Sequence, residues 1–247
     1  MHGADIRLLE EMNFSAWPAL KEVRRDGWLL RYAGGESRRV NSVNVIGTGT
    51  RPLAAKIDEA EAIYRDWGRP CTFRLTPLAE PQLDVELERR GYELATPTFL
   101  QIARMPALAM PDGVTMFETP EPWLDAALHI RGMSGVEADV FRAQHRAVRV
   151  PFAWALVREG DRPVACGCTA VERGWSGLLG IYAHKDARRR GLARRVTEAL
   201  LSWGRAHGAE HSWLQVEQAN APALPLYAGL GFETAYAYHH RVKANAT

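Results

Sequence analysis

Arg188-Arg189-Arg190-Gly191-Leu192-Ala193-Arg194-Arg195 is the stretch on which the fold turns. It stands between a strand-like run, Gly177 to Ala183, and a helix whose Leu192, Val196, Ala199, Leu200 and Trp203 share one face before Gly208 ends it. A short turn entering a helix presents backbone N–H groups that have no intrahelical partner, and the helix dipole adds roughly half a positive charge at the same end. A phosphate is stabilised there. Gly191 and Ala193 lack bulk where a pyrophosphate would approach the backbone. Arginine in a first helical turn opposes the dipole, so either this is a solvated face or an anion restores the balance.

Working outward, Phe152 to Arg158 and Val164 to Val171 read as two strands joined by a Glu159–Pro163 turn, ahead of the Gly177 strand. After the long helix come a strand from Ser212 to Val216, a short helix from about Ala221 to Leu230 and a last strand from Phe232 to Val242. Two helices, Trp123 to Arg131 and Val136 to Val148, precede all of these across a loop with Gly132, Ser134 and Gly135.

The first half repeats the later part of this order at an offset close to 140 residues. Strand-like Gly27 to Tyr32 and Arg39 to Ile46 precede a helix with Leu53, Ile57, Ala60, Tyr64 and Trp67 on one face. A strand, Cys71 to Leu75, follows. A short helix then ends at Gly91, Tyr92 and Glu93, as the second copy's ends at Gly231, Phe232 and Glu233. The repeat predicts two tandem α/β (α+β) domains, residues 1–110 and 111–247, divided at the Pro106–Pro111 run; one continuous sheet shared by both halves is the alternative.

The loop and the segment some thirty residues on resemble the GNAT family of acyl-CoA-dependent N-acyltransferases. Arg188, Gly191 and Ala193 match its pyrophosphate loop. Asn220, Ala223, Leu226, Tyr227, Gly231 and Phe232 match the pattern Asn-x-x-Ala-x-x-Leu-Tyr-x-x-x-Gly-Phe position by position. The resemblance is strong over roughly 113–247, and the first half is similar to the degenerate copy of tandem GNAT proteins, because Gly47 to Arg51 break the loop spacing and the Asn and Tyr are missing.

The resemblance implies acetyl-CoA as co-substrate, held by Arg188, Arg189, Arg190, Gly191, Leu192, Ala193 and Arg194 at its pyrophosphate. Backbone groups of Ile181, Tyr182 and Ala183 on a splayed strand would take the acyl carbonyl and pantetheine arm, assisted by Asn220. Tyr227 would contact the coenzyme and be the general acid for the departing thiolate. Some family members carry a basic Glu where this chain has Gln215; Glu217, two residues on and on the same strand face, is ranked first as base, ahead of Glu172, His184 and deprotonation through water. The acceptor, a small-molecule or peptide amine, would enter between Arg131–Glu137 and Thr234–His239, where Glu137, Tyr236 and Tyr238 suit a cation. The N-terminal copy is structural or shapes the substrate site.

Composition bounds the rest. With 47% hydrophobic and 24% charged residues the chain is an ordinary globular protein, and no apolar run reaches the ~18 residues of a membrane span. Acidic and basic residues number 15 and 15 up to position 110 and 14 and 16 after it, so there is no basic arm for nucleic acid. Charges at Asp5, Arg7, Glu10 and Glu11 interrupt any signal peptide, and three cysteines are too few for a disulfide framework; both fit a cytoplasmic protein, monomer or homodimer. Cys166 and Cys168 share a strand face yet lack further ligands for a metal, and read as buried thiols. His239 and His240 are consecutive on a strand and face opposite sides. A non-catalytic acyl-CoA-binding regulator is the competing function, favoured by Gln215 at the base position.

Overall fold

The computed structural model describes residues 5–243. Both halves build one mixed sheet of 11 strands. The first half contributes α1 (Ile6–Ala16), β1 (Lys21–Arg25), β2 (Trp28–Tyr32), β3 (Val43–Val45), α2 (Leu53–Asp66), β4 (Thr72–Leu75), α3 (Pro81–Arg89) and β5 (Tyr92–Arg104). The second contributes β6 (Thr115–Phe117), α4 (Glu121–Arg131), α5 (Gly135–Ala147), β7 (Phe152–Glu159), β8 (Arg162–Glu172), β9 (Trp175–Ala183), α6 (Leu192–Ala206), β10 (His211–Glu217), α7 (Ala223–Ala228) and β11 (Glu233–Lys243).

The strand order is β1-β2-β3-β4-β11-β5-β10-β9-β8-β7-β6, so each half gives its last strand to the other. β11 pairs with β4, β5 pairs with β10, and β5 and β11 pair with each other. The helix and strand order repeats as the sequence implies: α2 and α6 begin at Leu53 and Leu192, and each follows a strand that is parallel to the next one, β3 with β4 and β9 with β10.

Alternation along the strands sorts the core. In β7, Phe152, Trp154 and Leu156 pack with α1, α4 and α5, whereas Ala153, Ala155 and Val157 pack against α6. Both faces are covered, so the strand is buried through Val157. Leu9, Met12, Trp123 and Phe141 belong to the first layer, Val196, Leu200 and Leu201 to the second, and Ile57, Tyr64, Phe73 and Leu83 to a third under α2 and α3. Gly177 is required here, because a Cβ on it would collide with the Trp213 ring.

Two segments differ from their sequence reading. The strand expected over Arg39–Ile46 is a short 3-10 turn at Arg38–Val40 followed by only three strand residues. The cause is Asn41, whose side chain accepts from the N–H groups of Ala33 and Gly34 and donates to the carbonyls of Gly34 and Ser37, folding the loop on itself. The 13-residue β5 has no counterpart among the sequence expectations, which stop at Glu93, because its exposed Glu93, Leu94 and Pro97 give no clean alternation. Among the described residues no helix is long and apolar enough to cross a membrane.

Candidate active site

β9 and β10 are paired only from Trp175–His211 to Leu178–Leu214. Beyond that point each stays with its outer neighbour, β9 with β8 up to Ala183 and β10 with β5 up to Glu217, and the two strands part. A bulge between the Cys168–Leu179 and Cys166–Tyr182 pairs, with Gly180 at φ +58°, turns β9 at the same place. The result is a gap with backbone groups of residues 179–183 and 215–217 unmatched across it.

The gap opens into a cavity of about 470 Å³ on the α1 and α5 side of the sheet. Ile181, Gln215, Glu217, Asn220 and Tyr227 line it, so the two separate sequence motifs and both strands converge there. Tyr227 is half-buried on α7, and burial pushes its phenol up to about 12, partly offset by the positive charge of Arg39. It is therefore protonated at neutral pH, as a proton donor must be. Glu217 is exposed at the rim, and its carbonyl accepts the N–H of Asn220 at 2.9 Å. Gln215 accepts the Tyr238 hydroxyl through Oε1 at 2.8 Å while its buried Nε2 has no partner.

On the other side of the gap, β9 runs into Arg188–Leu192. Arg188 turns back, its Nε donating to the Ala183 carbonyl at 3.4 Å and its Nη2 to the Tyr182 hydroxyl at 3.2 Å. Gly191 caps α6 in the left-handed region at φ +73°, no side chain caps the helix, and no atom lies within 4 Å of where its Cβ would stand. The N–H groups of the first turn are thus left for a ligand, and the loop fits a pyrophosphate. Arg190 and Arg194 are engaged at the surface with Glu159 and Glu198, while Arg189 takes a positive φ of 60°. None of residues 188–194 lines the cavity, nor do Tyr182 and Ala183; these stand on the approach to the gap.

The other candidates separate. Glu137, on the first turn of α5, lines the cavity with Tyr238. Tyr236 instead donates to Glu10, which also pairs with the buried Arg74, a polar junction between the halves under the cavity. Glu172 lies beside Arg173 at the far end of β8, and His184 accepts the Asp186 N–H and meets Arg162, both away from the cavity. His240 lines the cavity and His239 faces Asp84 at 3.1 Å, on opposite sides as expected. Burial, then the positive Arg74, Arg38 and Arg39, hold the His240 imidazole well below its usual value. Burial raises the Cys166 thiol to about 12, so this thiol is inert.

Sequence reasoning allows the first half to shape the substrate site but identifies none of the residues that do so. Trp17, the Gly34–Arg39 loop, Thr96 and Thr98 form one wall of the cavity. No motif marks them; the paired Gly34-Gly35 before Arg38-Arg39 is the only local signal, and it reads simply as a turn.

A gapped parallel pair, a side-chain-free helix entry and a tyrosine at the gap define an acyltransferase of the GNAT fold. The chain belongs to the family described as "Probable histone acetyltransferase Rv0428c C-terminal", whose model matches residues 3–244. It is 27% identical over 97% of its length to 99% of the uncharacterized N-acetyltransferase YobR of Bacillus subtilis. It is 28% identical over 96% of its length to 72% of the probable histone acetyltransferase Rv0428c of Mycobacterium tuberculosis. A solved GCN5-related N-acetyltransferase from Kribbella flavida shares the fold at a TM-score of 0.70 and 18% identity, covering 100% of this chain and 98% of that one.

Proposed function

We propose that the chain transfers an acetyl group from acetyl-CoA to a primary amine by direct attack within a ternary complex. In this reading residues 111–247 bind the coenzyme and residues 1–110 shape the acceptor side. The free N–H groups of Gly191 to Arg194, with Arg188, Arg189 and Arg190, hold the pyrophosphate, and Ile181, Tyr182, Ala183 and Asn220 flank the pantetheine arm. The observation that carries the reading is the gap after Leu178 and Leu214, which leads from the helix entry on one side to the cavity on the other.

A backbone N–H of β9 donates to the thioester oxygen as it gains charge, at no cost of reorganisation. Glu217 takes a proton from the incoming ammonium, directly or through water, leaving a lone pair to form the C–N bond. The C–S bond then breaks, Tyr227 gives its phenolic proton to the departing thiolate, and the second proton that the nitrogen sheds as it becomes an amide restores the phenol, directly or through water. No covalent enzyme intermediate is required.

The test is calorimetric titration with acetyl-CoA and with coenzyme A, followed by thiol release over pooled amines. Binding with amine-dependent release supports the transferase. Binding without release favours the regulator suggested by Gln215, and no binding overturns both. Tyr227→Phe should lower kcat about 10²-fold with the coenzyme Kd unchanged; full turnover in the variant removes the tyrosine from the proton path.

A further inference from the structure

Among the described residues, surface arginines divide between those that meet a carboxylate, such as Arg25, Arg142 and Arg173, and exposed ones that meet none, such as Arg24, Arg104 and Arg158. The cavity gathers three that meet none, two of them half-buried. Arg38, Arg39 and Arg131 line it, and among the described residues none of them forms an ion pair. Arg38 donates to Thr96 Oγ1 at 3.0 Å, and Arg131 donates to Met133 Sδ at 3.3 Å while lying over the Phe141 and Tyr182 rings. Arg39 and Arg131 are half-buried, where an uncompensated guanidinium is costly.

His240 supplies a second, independent observation. Its side chain lines the same cavity, the residue is 2% exposed, and both ring nitrogens are buried without a hydrogen-bond partner. A buried imidazole with two open positions is rare in a finished fold and marks where a ligand's polar atoms belong. The acidic residues of the cavity lie differently: Glu36 and Glu217 are exposed, and Glu137 rests against Gly35. None of Arg188–Arg195 reaches the cavity, so these arginines stand apart from the loop assigned to the coenzyme pyrophosphate.

We propose that the acceptor is a small amine that also carries an oxyanion group, carboxylate or phosphate, held by Arg38, Arg39 and Arg131 with His240 donating from beneath. The amine end then lies toward Glu217 and the gap, and both halves select the substrate through its anion, the first through Arg38 and Arg39 and the second through Arg131 and His240. This rests on the transferase reading and names its acceptor class.

The experiment compares matched pairs: ethanolamine with phosphoethanolamine, amino acids with free and amidated carboxyl groups, and a lysine-rich peptide. Each is measured by thiol release with acetyl-CoA and by direct titration of the protein. The expected result is kcat/KM higher by about tenfold or more for the anionic member, the scale of one charge-assisted hydrogen bond. The carboxylate and phosphate arms distinguish which oxyanion is read. Arg39→Gln, and separately Arg131→Gln, should bring each ratio toward one by raising KM for the anionic member, with unchanged melting temperature confirming the fold. Preference for the neutral member or for the lysine-rich peptide, or a ratio untouched in both variants, overturns the proposal. Binding of anionic amines that Arg39→Gln abolishes, without thiol release, keeps the anion site and overturns the transferase reading. If no compound of the set binds or reacts, the acceptor assignment is wrong.

Discussion

The entries to α2 and α6 stand 139 residues apart in the chain, Pro52 and Gly191 being the residues before each first turn, and they solve the same problem in opposite ways. At α2 the protein supplies its own anion. The Asp26 carboxylate, from the β1–β2 turn, accepts the N–H groups of Thr50 and Arg51 at 2.9 Å, and these bonds, first Thr50 and then Arg51, lower its pKa. Lys56 completes the cluster at 3.7 Å, and Gly49 is pressed so close to Asp26 that a Cβ would not fit. At α6 no carboxylate enters, and Gly191 takes a left-handed φ that the ring of Pro52 forbids in the first copy. A helix N-terminus attracts negative charge in either case. Neither first turn has a side-chain cap, but in the first copy a carboxylate already occupies the N–H groups of the loop before the helix, and in the second none does.

That contrast can be broken most directly at the glycines. Gly191→Val places a branched side chain in the left-handed region and beside the open N–H groups, and should weaken acetyl-CoA binding by more than about tenfold in calorimetry. Gly47→Ala, in the first copy's loop with no atom within 4 Å of the new methyl, should leave the coenzyme Kd unchanged. Equal losses in the two variants would mean that both loops, or neither, serve the coenzyme.

Acid separates the halves on a second axis. Residues 5–110 contain no histidine, whereas His145 in α5 is buried among Trp123, Phe141 and Trp154, accepting the Trp154 indole N–H at 2.9 Å. Burial, with the positive charge of Arg131 adding to it, pushes its pKa down to about 3 from an ordinary 6.5, and His240 moves the same way. In that interval the unfolded chain binds more protons than the folded one, so stability is full above about 6.5 and falls as pH drops toward about 3. Hydrogen exchange near pH 4 should show α4 and α5 losing protection before α2. Earlier opening of α2 would show that buried histidine does not set the acid limit.

The smallest effect is expected at Asp26. Asp26→Asn keeps a hydrogen-bond acceptor and removes the charge, so the melting temperature should fall modestly while coenzyme affinity stays the same. A gain of phosphate binding at α2 would sharpen the comparison further, since it would show the carboxylate alone closes that site.

Legibility follows the range of the interactions. Helices α2 and α6, the strands around α6, and the convergence of Asn220 and Tyr227 on one site are readable because periodicity and motif spacing are local properties. Glu172 and His184 are compatible with a site by residue type, and only distance removes them. The segment from Arg39 reads as strand because Asn41 satisfies the neighbouring backbone through a side chain, which competes with a ladder without altering hydrophobic pattern.

The sequence by itself determined the repeat, the α/β elements and the open helix entry, since each depends on neighbours a few positions apart. The tertiary structure decided that the last strands cross over, β11 against β4 and β5 against β10, in one continuous sheet. That exchange is a choice among strand partners with similar edges, made by packing across residues far apart in the chain. It brings the Gly34–Arg39 loop of the first half against Tyr227 and Glu217 of the second, and so creates a cavity that neither half contains alone.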